Sequence, residues 1–332
     1  MRIVIVSDAW HPQINGVVRT LVAVQRELQA LGHTVRVIGP DGFRTAPLPT
    51  YPEIRLALNP WQVRGAIESF GPDAVHVATE GPLGWAARRW CCRSAQPFTT
   101  SFHTRFPEYL STRTGLPEAL GYAGLRRFHR RAETVMAATP RLVAELERRG
   151  FGRVRVWGRG VDTSLFRRHP RDRARSDLLW LTVGRVAVEK NLEAFLRLKL
   201  PGRKMVVGDG PAREALQRRF PDVEFPGPRT GDELIRTYAQ ADVFVFPSRT
   251  DTFGNVMLEA LACGVPVAAY PVPGPLDVVG DAPDVAVLDD DLGRAAEAAL
   301  KLDRAACRRF AEEHGWDASA RQFLANLAVR GP

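Results

Sequence analysis

Pro247-Ser248-Arg249-Thr250-Asp251-Thr252-Phe253-Gly254-Asn255-Val256-Met257-Leu258-Glu259 is the stretch on which the reading of this chain turns. It follows Val243–Phe246, an apolar run of strand length, and enters the helix-like run 256–262. Thr-Phe-Gly-Asn suits a tight turn into a helix N-terminus, which presents unpaired N–H groups and a positive dipole end to an anion. Asp251 before the turn and Glu259 two turns into the helix would then face one ligand, an arrangement suited to a sugar plus a phosphate. The same spacing also fits an ordinary strand–turn–helix with a solvated Asp cap and one buried Glu.

Outward from this stretch, strand-like runs alternate with helical spacing along the whole chain. Arg2-Ile3-Val4-Ile5-Val6-Ser7 is β-branched nearly throughout, the mark of a strand buried on both faces of a parallel sheet. A loop over 8–16 follows, then a helix over 17–31 carried by Val17, Leu21, Val24, Leu28 and Leu31 and stopped by Gly32. A strand at Thr34–Ile38 completes a βαβ unit. Strands are predicted at 52–57, 74–78, Phe98–Phe102, 134–138 and 154–157, with helices at 60–70, 82–91 and 140–149. The charged stretch 171–177 marks a boundary. Beyond it strands at 178–183, 204–207, 223–225, Val243–Phe246 and 265–269 alternate with helices at 192–198, 211–220, 231–241 and 255–263. The tail is predicted helical over 292–300 and 304–329. The expected fold is α/β: two doubly wound Rossmann-like domains, 1–170 and 171–332, facing a cleft, with C-terminal helices of which the last is free to pack back on the first domain.

At 332 residues each domain can bury its own core, and 45% hydrophobic with 25% charged residues is a soluble globular composition. No apolar run approaches the roughly 18–20 residues that span a bilayer. The first residues read as a strand rather than a signal peptide, so a cytoplasmic protein is expected. Cys91, Cys92, Cys263 and Cys307 lack metal or redox spacing and are expected to be free thiols. The net charge of +9 is uneven: residues 1–170 carry 24 Arg against 13 Asp and Glu, residues 171–332 carry 22 Lys and Arg against 24. A basic front half implies an anionic partner such as a membrane surface, a nucleic acid or a charged substrate.

Several shorter motifs sit at predicted strand ends. Gly158-Arg159-Gly160 and Gly208-Asp209-Gly210 begin like a dinucleotide fingerprint, but Thr163 and Arg213 stand where its third Gly belongs. Gly208-Asp209-Gly210-Pro211 fits either a close ligand approach or a plain strand–helix turn. Arg185 and Lys190 flank the loop after another strand, where two cations clamp a diphosphate or remain solvated. His103, in Phe102-His103-Thr104-Arg105, would touch a reacting sugar or serve structure. Asp289-Asp290-Asp291 satisfies a metal-holding D-x-D pattern, although capping of the following helix is the stronger reading. Leu116, Leu120, Leu125 and Phe128 share a helical face, and Arg126, Arg127, Arg130 and Arg131 crowd its end. Such a helix lies on an anionic membrane or packs with a solvated basic face. No nucleic-acid motif or stacking-aromatic pattern appears.

Together these stretches resemble retaining glycosyltransferases of family 4, with the two-Rossmann GT-B fold. The resemblance covers nearly the whole chain. It rests on residues 12–21, Ser101-Phe102-His103-Thr104, residues 157–162, Val183-Gly184-Arg185, Gly208-Asp209-Gly210-Pro211 and the opening stretch through Val267, which is similar to the family's E-x7-E motif. The resemblance implies that Asn15 and Gly16 approach the donor diphosphate, that Arg185 and Lys190 neutralise it, and that Glu259 holds the nucleotide ribose. Asp251 with Thr252, Phe253, Gly254 and Asn255 would hold the hexose, His103 would lie by the anomeric centre or the sugar C6, and Asp209, Pro228 and Arg229 would complete the donor site. Arg105, Leu116, Leu120, Arg126, Arg127, Arg130 and Arg131 would face the acceptor and membrane. Asp251 departs from the family's Glu. That variant resembles the branch holding sulfoquinovosyl and glycosyl-diacylglycerol synthases and GDP-mannose-dependent mannosyltransferases.

The expected activity is retaining transfer of a hexosyl or hexuronosyl unit from UDP-glucose or UDP-glucuronate to a lipid such as diacylglycerol, with no metal or other cofactor. The alternative is GDP-mannose-dependent mannosyl transfer to a phosphoinositide or polysaccharide. A basic module that binds membrane or nucleic acid without turnover is the non-enzyme alternative. The implied location is the inner face of the cytoplasmic membrane, with no nucleic-acid partner.

Overall fold

A computed structural model describes residues 1–13, 15–48, 51–103, 107, 115, 117–170, 177–251 and 253–330, with the backbone alone at 48 and 51–54. Arg105, Leu116, Thr252 and the stretch 171–176 lie outside the described residues. The chain divides into two compact units, Met1–Arg159 with Trp316–Pro332, and Gly160–Gly315.

The first unit holds β1 (Arg2–Val6), α1 (Gly16–Ala30), β2 (Thr34–Ile38), β3 (Thr45–Leu48), β4 (Tyr51–Ala57), α2 (Val63–Phe70), β5 (Ala74–Val77), α3 (Pro82–Arg93), β6 (Phe98–Phe102), α4 (Glu118–His129), β7 (Thr134–Ala137), α5 (Pro140–Arg148) and β8 (Val154–Val156). Its sheet has the order β2-β1-β5-β6-β7-β8, every pair parallel. Ile3, Val4, Ile5, Val6 and all of β5–β7 are buried, as a two-faced parallel sheet requires. The strand expected at 52–57 exists, but outside this sheet: β4 pairs antiparallel with β3 in a hairpin. Pro47 and Pro52 suit such an edge position, because proline donates no ladder hydrogen bond.

The second unit holds β9 (Leu179–Val183), α6 (Leu192–Leu196), β10 (Arg203–Val207), α7 (Arg213–Arg219), β11 (Glu224–Gly227), α8 (Gly231–Gln240), β12 (Val243–Phe246), α9 (Asn255–Ala262), β13 (Val267–Ala269), α10 (Pro273–Val279), β14 (Ala286–Leu288), α11 (Leu292–Ala299) and α12 (Arg304–Glu313). Its order is β11-β10-β9-β12-β13-β14, again wholly parallel. Both units are doubly wound α/β, with apolar cores on each face of each sheet.

The helix expected over 304–329 is two helices, α12 and α13 (Trp316–Asn326), parted at His314 and Gly315. Gly315 bridges Val161, and the His314 carbonyl accepts from the Val161 amide at 3.0 Å. Residues 160–166 stay with the second unit because Arg308 donates to the carbonyls of Thr163 and Phe166. Helix α13 belongs to the first unit: Phe323 and Ala320 are buried with Leu21, Val24, Leu28 and Trp157. Its Gln322 accepts from the Gly158 amide at 2.6 Å and its Asn326 donates to the Val156 carbonyl at 2.8 Å.

Candidate functional site

The second sheet reverses its strand order between β9 and β12, and open α/β sheets bind ligands beyond the carboxyl strand ends at such a point. The reversal sets the loop after β9 beside the loop after β12. Lys190 Nζ meets Asp251 Oδ1 at 2.5 Å, with the side chains 27% and 22% exposed. Asn191 Nδ2 donates to the Pro247 carbonyl at 3.1 Å and Thr250 Oγ1 to the Glu189 carbonyl at 3.3 Å. The two loops are thus laced together around one cation and one carboxylate. Arg185 is exposed just past β9.

The turn after Asp251 reaches Gly254 at φ 82°, a left-handed conformation that costs glycine little. A Cβ there would meet Met257 at 2.8 Å and the Phe246 ring at 3.0 Å. Gly254 caps α9 without a side-chain acceptor, so the amides before Met257, which itself donates to the Gly254 carbonyl at 2.9 Å, keep their capacity for a ligand. Asn255 Oδ1, in that first turn, is buried and bonded to no other group. One turn along, Glu259 Oε2 accepts from Tyr238 Oη at 2.9 Å. Tyr238 is fully buried on α8 and went unread in the sequence, where it sits as one apolar position of an amphipathic helix.

Gly208 and Gly210 are explained by the fold itself. Their Cβ atoms would come within 1.9 Å of the Gly184 carbonyl oxygen and 2.4 Å of the Val186 carbonyl oxygen. The glycine loop after β10 packs against the loop after β9, and the Val186 amide donates to the Asp209 carbonyl at 2.9 Å. The following helix starts at Arg213 rather than Pro211, and the Ala212 amide donates to the Val186 carbonyl at 3.0 Å. Asp209 accepts from the Gly210 amide and is largely exposed, 3.6 Å from Arg213. Pro228 is exposed. Arg229 turns onto α8, donating to Thr237 at 2.6 Å and lying 3.1 Å from Glu233. It lines a 580 Å³ cavity with Leu179 and Arg203, the first residues of β9 and β10, at the strand ends opposite Lys190.

In the first unit the order reverses between β1 and β5. Asn15 Oδ1 accepts from the Val17 and Val18 amides at 3.0 Å, capping α1. Gly16 is exposed, and a Cβ on it would meet nothing within 4 Å. Asp8 is taken up by the start of α3, accepting from the Leu83 and Gly84 amides and Thr79 Oγ1. Burial raises its pKa, against the lowering by those hydrogen bonds.

His103 follows β6. Its Nδ1 lies 2.8 Å from Arg159 Nη2 and its Nε2 lies 2.8 Å from Ser101 Oγ. Ser101 Oγ is in turn 3.1 Å from His76 Nε2, and His76 Nδ1 is 2.9 Å from Thr99 Oγ1. Arginine only donates, so His103 Nδ1 must accept and Nε2 must carry the proton. Both ring nitrogens are therefore engaged within the first unit. Burial, and next the charge of Arg159, hold the His103 pKa well below the usual histidine range. The same two causes lower His76 to about 3.

These depressed values predict acid sensitivity. Below about pH 6.5 the unfolded chain protonates both histidines while the fold keeps them neutral. Their contribution is complete above that pH and is lost as pH falls, toward about 3 for His76. Between pH 6.5 and 5, His76 alone should remove about 2 kcal/mol of stability. Urea unfolding at pH 7.5, 6.5 and 5 measures this; an unfolding free energy unchanged across the series would contradict it.

Helix α4 buries Tyr122, Phe128 and His129. Leu120 is 63% exposed, whereas Phe128 is buried. Arg126 donates to the Arg149 carbonyl at 3.1 Å. Arg127, Arg130 and Arg131 are exposed and line a 1260 Å³ cavity with Arg88 and Arg153. That cavity borders Phe98 and Glu133, before β6 and β7 run toward the His103 edge. Asp291 caps α11, and Asp289 pairs with Arg294 at 2.6 Å, whose hydrogen bonds hold its carboxyl near 2. Cys91, Cys263 and Cys307 are buried thiols pushed up to about 12 by burial.

Residues 14–165 match the family profile Glycosyltransferase Family 4, and residues 178–304 match Glycosyl transferases group 1. The chain is 32% identical over 312 residues to a GDP-mannose-dependent alpha-mannosyltransferase of Mycobacterium tuberculosis, covering 84% of this chain and 81% of that protein. It is 33% identical over 267 residues to the sulfoquinovosyl transferase SQD2 of Arabidopsis thaliana, covering 74% of this chain and 51% of that protein. Its fold is similar to that of sucrose-phosphate synthase from Thermosynechococcus elongatus, with a TM-score of 0.72 at 20% identity, covering 98% and 97% of the two chains.

Proposed function

The chain belongs to glycosyltransferase family 4, and from that membership we propose that it transfers a mannosyl unit from GDP-mannose to a membrane glycolipid acceptor, with retention of the α configuration. The observation that supports this reading best is the meeting of Lys190, Asp251 and the uncapped start of α9 at the switch point of one sheet. In the transfer, the bond between the anomeric carbon and the donor phosphate breaks and a bond to the acceptor oxygen forms. The acceptor proton passes to the departing diphosphate. Lys190 and the α9 amides stabilise the charge that develops on that diphosphate, with Arg185 within the same loop. Asp251 holds hexose hydroxyls and Glu259 the ribose. No residue need act as a glycosidase-type carboxylate pair.

The donor follows the relatives, since the M. tuberculosis protein is named for GDP-mannose and matches over most of both chains. The acceptor follows the branch that the Asp251 variant resembles. The arginine-lined cavity beside α4 would hold the protein against anionic lipid on the cytoplasmic face. Among the described residues no helix is long and apolar enough to cross a membrane. Transfer from UDP-glucose or UDP-glucuronate to diacylglycerol is the second reading, favoured by the similarity to a sulfoquinovosyl transferase.

Incubation with labelled GDP-mannose, UDP-glucose and UDP-glucuronate plus a lipid extract, with and without EDTA, tests these readings. Label from GDP-mannose should enter a solvent-extractable lipid product with α linkage, unaffected by EDTA. Label entering only from a UDP-sugar would select the second reading. Loss of transfer in EDTA with recovery on Mn²⁺ would overturn the metal-free mechanism.

A further inference from the structure

We propose that Arg159 is the receptor for an oxyanion (carboxylate, sulfonate or phosphate) carried by one of the two substrates, held beside His103 at the edge of the first unit. Its guanidinium carbon stands 4.9 Å from the Trp157 ring centroid, and Nη2 donates to His103 Nδ1 at 2.8 Å. Nη1 is buried and bonded to no other group among the described residues. Among the described residues no carboxylate pairs with this guanidinium, and burial alone lowers its pKa to about 10. A buried cation without a counter-charge costs several kcal/mol, so the fold retains a strained electrostatic feature here.

The surrounding groups specify the sign and chemistry of what satisfies it. The other unsatisfied buried atom in this cluster is Trp157 Nε1, and like Nη1 it can only donate. The cluster's acceptors, His103 Nδ1 and the Ser101 hydroxyl, are already occupied. The buried, positively charged Nη1 donor complements an acceptor-only group, and an anionic oxygen meets that demand better than a sugar hydroxyl. The planar fork of arginine further suits a carboxylate or phosphate. Bonding to His103 fixes the direction of the guanidinium, while its stacking on Trp157 fixes its plane. The remaining protein chemistry therefore leaves Nη1 as the free end.

This rests on the reading of the chain as a two-substrate transferase only in taking the oxyanion to come from a substrate. Binding is therefore measured first, without turnover. Calorimetric titration with inorganic phosphate is done in an Arg185→Ala, Lys190→Ala background, so that the second unit's loop cations do not contribute. Arg159→Met should weaken phosphate at least tenfold and Arg159→Lys should restore part of it. Thermal unfolding of Arg159→Met should be unchanged or raised, because an apolar side chain replaces an uncompensated charge. KM is then compared for phosphatidylinositol against diacylglycerol and for UDP-glucuronate against UDP-glucose. A tenfold rise confined to the charged member of one pair supports the site and identifies its source. Phosphate affinity unchanged in Arg159→Met overturns the proposal whatever the reaction turns out to be. So does an equal rise in KM for phosphatidylinositol and diacylglycerol with the donor KM unchanged.

Discussion

Lys190→Ala should lower kcat/KM by about 10²–10³-fold, the range found when one group aimed at developing charge is removed. Lys190 Nζ is fixed against Asp251 at the switch point between β9 and β12, so the charge is positioned before the donor arrives. The substitution also strands Asp251, which lies less than a quarter exposed. Some loss of stability is expected, and a double variant separates it from the catalytic loss. Lys190→Met with Asp251→Asn removes both charges, so stability should return toward that of the parent while turnover stays low. Steady-state kinetics and urea unfolding of the single and double variants measure the two effects. Activity within threefold of the parent in Lys190→Ala would remove this residue from the diphosphate, and activity recovered in the double variant would make the pair merely structural.

Glu259→Gln should raise the donor KM by about 10–100-fold with a smaller change in kcat, since a hydrogen bond to a charged group contributes about 1.5–3 kcal/mol. Tyr238 acts through Glu259, its hydroxyl fixing Oε2 at 2.9 Å from a fully buried position on α8. Tyr238→Phe should shift KM in the same direction by a smaller factor, about fivefold, in keeping with one neutral hydrogen bond. Affinities for GDP and 2′,3′-dideoxy-GDP report the ribose contact directly. The parent should prefer GDP, and Glu259→Gln should lose most of that preference. Equal preference in parent and variant would place Glu259 away from the ribose.

Much of the architecture was legible because its signals are local. The buried runs at Ile3–Val6 and Val243–Phe246, the helix stop at Gly32 and the alternation between them need only the chemistry of neighbouring residues. The site was legible in part: Asp251, Gly254 and Glu259 stood out because a turn and a helix start fit within thirteen residues. The partners of these residues were not legible. Lys190 is 61 positions from Asp251, and Arg159 is 56 from His103. Hydrophobic period says nothing about which strand ends lie side by side. Arg229 shows the same limit in reverse, since its motif implied a donor contact and its side chain instead lies along Thr237 and Glu233.

The sequence by itself determined that this is an α/β chain of two doubly wound halves carrying a glycosyltransferase signature. Burial pattern, turn residues and motif order are properties of contiguous residues, and they survive without knowledge of packing. Only the tertiary structure decided which of those residues meet. Strand order β9-β12 brings Lys190 to Asp251, and helix packing brings Tyr238 to Glu259. The docking of α13 returns the chain's end to the first unit, because Phe323 and Ala320 find their apolar partners there. The physical reason is common to all three. A side chain's partner is fixed by sheet order and by the burial of faces far apart in the chain, and neither is encoded in local periodicity.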